Sequence, residues 1–103
     1  MAKPKYDGVI ETVHYKPDGQ VDWVRAYLRL GPIFTDRVKL DRQTLVDHLK
    51  SGKLYRVGRR VPLMGGTFET GELLKLIPQN GREVLIAGDV RAEQDRLEGV
   101  PII

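Results

Sequence analysis

Residues 21 to 30 read Val-Asp-Trp-Val-Arg-Ala-Tyr-Leu-Arg-Leu. Val24, Ala26, Leu28 and Leu30 alternate with Trp23, Arg25, Tyr27 and Arg29. Successive side chains of a strand point to opposite faces, so this stretch is a strand with an aliphatic side for a core and an aromatic, cationic side turned outward. Immediately upstream stand Pro17, Asp18 and Gly19. Proline presets φ and glycine tolerates positive φ, which makes these three a turn. Residues 5 to 16, rich in Val, Ile, Tyr and Thr, then form the other arm of a β-hairpin.

Downstream, Gly31-Pro32 breaks the chain, and alternation resumes with Phe34, Val38 and Leu40 on one side and Ile33, Thr35, Arg37 and Lys39 on the other. This predicts a third strand. Asp41 is placed to cap a helix over residues 42 to 51, with Leu45, Val46 and Leu49 as its apolar stripe and Gly52 in the left-handed position after its end. Leu54 to Val61, Thr67 to Ile77 and Arg82 to Ala87 read as further strands, the last two joined through Pro78-Gln79-Asn80-Gly81. Residues 90 to 97 predict a short helix that depends on docking, followed by the extended apolar end Val100-Pro101-Ile102-Ile103.

The expected fold is therefore mostly β: a small barrel of five to six strands with one inserted helix and a short C-terminal helix. Three strands, a helix and more strands is an order that resembles the OB-fold, whose second and third strands bind oligonucleotides. An SH3-like barrel fits the pattern as well, and no diagnostic motif chooses between them. The chain divides into a barrel over 1–88 and an acidic tail over 89–103, docked on the same domain.

Composition narrows the function classes. The chain has 103 residues, enough for one core without metal or disulfide staples, and it has no cysteine. That excludes thiolate nucleophiles and cysteine-ligated metals. Its apolar runs are too short for a membrane-spanning helix and its first residues lack a secretory pattern, so the expectation is a cytoplasmic protein with no membrane partner. The net charge is +3. Beyond Gly88 four acids face two bases, leaving −2, so the preceding residues carry +5.

The candidate site is the outward face of the second and third strands, where Trp23, Arg25, Tyr27 and Arg29 would stand beside Arg37 and Lys39. Rings stack on bases and cations meet phosphate, which suits single-stranded DNA or RNA. Four phosphate contacts would give a log-log salt slope of roughly −3. Arg56, Arg59 and Arg60, from an acid-free run with Lys50 and Lys53, would extend the track. The same residues equally serve a solvated sheet face stabilised by cross-strand pairs, or they, or the apolar tail Val100-Pro101-Ile102-Ile103, are covered by a protein partner or a second copy in a homo-oligomer.

Catalysis finds little support. Gly66 to Gly71 has the glycine spacing of a phosphate loop, but Glu72-Leu73 follows where Lys and a hydroxyl residue are required. His14 and His48 show no metal-ligand spacing and would have to recruit Glu11, Asp36 or Asp47 from separate elements. Ser51, the one serine, has no base nearby in sequence. No catalytic residue, metal or cofactor is expected.

Overall fold

The computed structural model describes residues 6–31, 33–63, 68–79, 81–88 and 94–103. Strands β1 (Gly8–Tyr15) and β2 (Val21–Leu30) form the expected antiparallel hairpin. In its turn the Gly19 N–H donates to the Lys16 carbonyl and the Asp18 carboxylate accepts from the Gln20 N–H, both at 2.9 Å. Gly19 sits at φ +91°, a region that glycine enters without a Cβ penalty. The pairing register shifts between Ile10 and Thr12, which leaves Glu11 as an extra residue in β1. Such a bulge bends and twists its strand. Val24 and Ala26 are buried as the alternation requires, whereas Leu30, at the strand end, is exposed.

The run from 33 to 40 forms two strands rather than one. β3 (Ile33–Phe34) pairs with Arg29 and Leu30, and β4 (Val38–Asp41) pairs with Trp23 through Ala26. Thr35 makes the break tolerable: its N–H donates to the Leu28 carbonyl at 2.8 Å and its Oγ1 accepts from the Leu28 N–H at 3.0 Å. The backbone groups of Leu28 thus keep partners where the ladder lapses. Across this break Phe34 loses phase with Val38 and Leu40. It packs against Tyr6 and Phe68 instead of entering the core.

Helix α1 spans Arg42–Lys50, and the Asp41 carboxylate accepts from the Thr44 N–H at 2.8 Å. Gly52, at φ +94°, ends it in the left-handed conformation. Leu45 and Val46 are buried. The helix carries the chain across to β5 (Tyr55–Arg60), which runs parallel to β1 over Gly8 to Ile10. Parallel neighbours need such a crossover, because a tight hairpin reverses direction.

β6 (Phe68–Gln79) changes partner midway: its first half pairs with β5 and its second with β7 (Arg82–Ala87). The sheet order is β3-β2-β1-β5-β6-β7, with β4 beside β2, giving a curled half-barrel. Among the described residues no pairing joins β7 to β3 or β4. The core contains Ile10, Val24, Leu45, Tyr55 and Leu85, and burial of each aliphatic member is worth roughly 1.5–3 kcal/mol.

The C-terminal helix expected over 90–97 is not found at residues 94 to 97, which carry a bend at Gln94 and a β-bridge at Arg96; residues 90 to 93 lie outside the described residues. Arg96 bridges to Ile86 and Ile102 to Val13, both parallel. Leu97 and Val100 belong to the main core. This path is enforced by Asp95, whose carboxylate accepts from the Val21 and Leu85 amides and from Arg42. A helical turn there would withdraw it from two strands at once. No described helix is long and apolar enough to cross a membrane.

Candidate functional site

The outward side of β2 carries Trp23, Arg25, Tyr27 and Arg29, but the curled sheet treats them differently. Trp23 is half-buried. His14, its partner in register on β1, stacks on it with centroids 5.0 Å apart and planes 16° from parallel. The Lys39 ammonium on β4 lies 4.7 Å from the ring centroid, and the Arg25 guanidinium carbon 5.6 Å. Since β2 runs between β1 and β4, His14 and Lys39 flank the indole from opposite sides. Neither Arg25 nor Lys39 meets a carboxylate among the described residues.

His14 is held from behind. Its Nδ1 is 2.8 Å from the Ile103 carbonyl oxygen, which can only accept, so Nδ1 carries the proton. Asp22 stands 3.9 Å from Nε2. The tail therefore touches the stack around Trp23.

Tyr27, expected to stack on bases, is covered. The curl of the sheet brings Phe68 to 5.0 Å from its ring and the Arg60 guanidinium to 4.8 Å above it, leaving it 7% exposed. Its hydroxyl donates to Glu11 at 2.9 Å. Burial and that carboxylate push its pKa up. Phe68 in turn packs on Phe34 and Phe34 on Tyr6, so the rings make a second small cluster beside the sheet.

Three of the expected cations are neutralised. Arg37 pairs with Glu11, Arg29 with Asp7 at 3.1 Å, and Arg59 with Glu69 at 3.2 Å. The Leu54 amide, and then the Arg29 guanidinium, hold the Asp7 carboxyl below its usual range against the opposing effect of burial. Arg56 spends its guanidinium on the Gly71 carbonyl at 2.7 Å. Of the nine residues read from the sequence, the structure brings Trp23, Arg25 and Lys39 into one cluster and Tyr27 and Arg60 into another. His14, Tyr6, Phe34 and Phe68 were missed. Counting strand pairs back from the turn brings His14 within one residue of Trp23, a signal available in sequence; the contacts of Phe68 depend on curvature and are not.

Other chemistry does not converge. Among the described residues no three His, Asp or Glu side chains form a metal-holding group. Glu11 serves Tyr27 and Arg37, and Asp47 accepts from Gln43. His48 is engaged with Tyr55, whose hydroxyl lies 2.6 Å from Nδ1. Burial pushes the Tyr55 pKa up to about 12 and lowers that of His48. Ser51 donates its hydroxyl to the His48 carbonyl. Of the glycine-spaced segment, residues 66 and 67 lie outside the described residues, and residues 68 to 71 belong to the extended strand β6.

No family model, no curated protein and no solved structure matches this chain.

Proposed function

We propose that this chain is a non-enzymatic module that binds single-stranded DNA or RNA through Trp23, Arg25 and Lys39. The observation that carries the reading is a half-exposed indole with two neighbouring cations that no described carboxylate neutralises. Exposed cation–π contacts are worth only about 0.5–1 kcal/mol, so an incoming base can displace Lys39 from the ring. Stacking returns about 1–3 kcal/mol per base, and the freed ammonium meets the adjoining phosphate. His14 braces the opposite side of the ring and limits stacking to the Lys39 side. An open small barrel that presents its early strands to ligand is the OB-like element of this reading; the seven-stranded sheet departs from the five strands of that fold. The reading places the protein in the cytoplasm.

The test is titration of the intrinsic Trp23 fluorescence with short oligonucleotides of each base. Quenching reversed by salt is expected. With two cations left rather than four, the log-log salt slope should be roughly −1.4. Absence of quenching at low salt refutes the proposal.

A second reading is favoured by a different observation: Leu30 and Ile33 are partners in register at the sheet edge and are 60% and 64% exposed. Such a pair suits a protein partner or a homo-oligomer. Sedimentation that shows a monomer at high concentration removes the homo-oligomer.

A further inference from the structure

Beyond Ile10 and Val57, β1 and β5 part, and the tail rejoins β1 only at Val13. A cavity of about 580 Å³ occupies the gap, within the size range of small-molecule sites. Val57, Val100 and Pro101 give it apolar walls, and Thr12 and Arg60 are polar members of the lining.

Arg60 is the unusual member. Its guanidinium carbon lies 4.8 and 5.7 Å from the centroids of the Tyr27 and Phe68 rings. Those two contacts fix its position. Yet none of its donors has a hydrogen-bond or carboxylate partner among the described residues, and its Nε is buried. The Thr12 hydroxyl oxygen is likewise buried and unpartnered. Half-buried guanidinium groups ordinarily use their five donors, because desolvation without a partner is costly.

The remaining charges along the cavity cancel. Arg59 is paired with Glu69, and Glu11 with Arg37. One positive charge is left over, next to aliphatic walls. One unneutralised cation suits a single small anion, whereas a strand of phosphates needs several.

We propose that this cavity binds a small organic acid. Its carboxylate meets the terminal nitrogens of Arg60, which match a carboxylate in the two-pronged manner of guanidinium groups. Its apolar body lies along Pro101 and the exposed edges of Val57 and Val100. The site uses neither Trp23 nor Lys39, so it stands apart from the nucleic-acid reading.

The experiment is an amide chemical-shift titration of the full chain with acetate, hexanoate, benzoate and inorganic phosphate at matched ionic strength. Hexanoate and benzoate should give saturable shifts centred on Gly58, Gly71 and Gly99. Affinity should rise from acetate to hexanoate, by up to about fourfold per buried methylene. Arg60→Gln should weaken hexanoate binding by about tenfold or more, since a hydrogen bond to a charged group is lost. If that variant does not fold, Arg60→Lys keeps the charge but loses the fork, and a severalfold loss is expected. No saturable shift at millimolar hexanoate or benzoate, undiminished binding in a folded Arg60 variant, or phosphate binding as well as hexanoate would each overturn the proposal.

Discussion

Replacing Asp95 by alanine should cost this domain a large share of its stability. The Asp95 side chain is 2% exposed and accepts four hydrogen bonds: from the Val21 amide at 2.8 Å, the Leu85 amide at 2.9 Å, and Arg42 Nε and Nη2 at 2.8 and 3.1 Å. Removing the carboxylate leaves the Arg42 guanidinium, itself only 19% exposed, with the Glu83 carbonyl but no counter-charge of its own, and orphans two strand amides. Removing one partner of a buried ion pair costs about 3–5 kcal/mol, and the orphaned amides are part of that loss rather than an addition to it. Domains of this kind hold about 5–15 kcal/mol in all. At about 4–8 °C per kcal/mol, the melting temperature should fall by at least about 12 °C. Urea unfolding followed by circular dichroism, with a check that the slope is unchanged, measures the loss. Arg42→Met with Asp95→Ala should be less damaging than the two single losses added together, because no buried charge is left alone. Burial by itself would raise the Asp95 pKa, but Arg42, followed by the Leu85 and Val21 amides, holds it below its usual value. The folded form thus keeps the carboxylate ionised where the unfolded chain takes up a proton. The resulting stabilisation is complete above pH of about 4 and fades as the pH falls further. A loss below about 1 kcal/mol in Asp95→Ala, or strict additivity in the double variant, would refute this account.

His48 is kept neutral by burial and by Lys53, so the unfolded chain binds a proton near pH of about 6.5 that the folded one refuses. Stability should therefore drop as pH falls from 8 through about 6 to 5, and this drop should shrink in His48→Asn; equal slopes in urea unfolding would contradict it. Gly8→Ala would put a Cβ 2.4 Å from Cε2 of the buried Tyr55 ring, an overpacking worth about 1–3 kcal/mol in a melting experiment. Lys39→Glu and Arg25→Glu should abolish oligonucleotide quenching, whereas Arg37→Gln combined with Glu11→Gln, which removes a pair of no net charge, should change it little. Equal effects of all three would point to a diffuse field rather than a site built on Trp23.

Local signals in the sequence carried much of the fold. The alternation over 21–30, the turn at 17–19, the cap at Asp41 with Gly52 beyond the helix, and the strand over 82–87 are set by neighbours within a few residues. What the sequence did not reveal depends on distant partners. Thr35 splits the run over 33–40 only because Leu28 lies opposite it. The segment around Asp95 is not helical because two amides 10 and 74 residues away claim its carboxylate. The site followed the same division: Trp23, Arg25 and Lys39 were legible from strand phase, whereas the covering of Tyr27 by Phe68 and Arg60 requires the sheet to curl. Glu11 was read as a remote metal candidate, and its position in the bulge makes it the counter-ion of Arg37 instead.

The neighbours of β1 arrive late during translation. β2 emerges directly after it, but the opposite border waits for Tyr55 to Val57, and Val13 waits for residues 101 to 103. A nascent chain therefore carries this flank of β1 uncovered until residues 55 to 57 are made, and the stretch at Val13 until residues 101 to 103 are made.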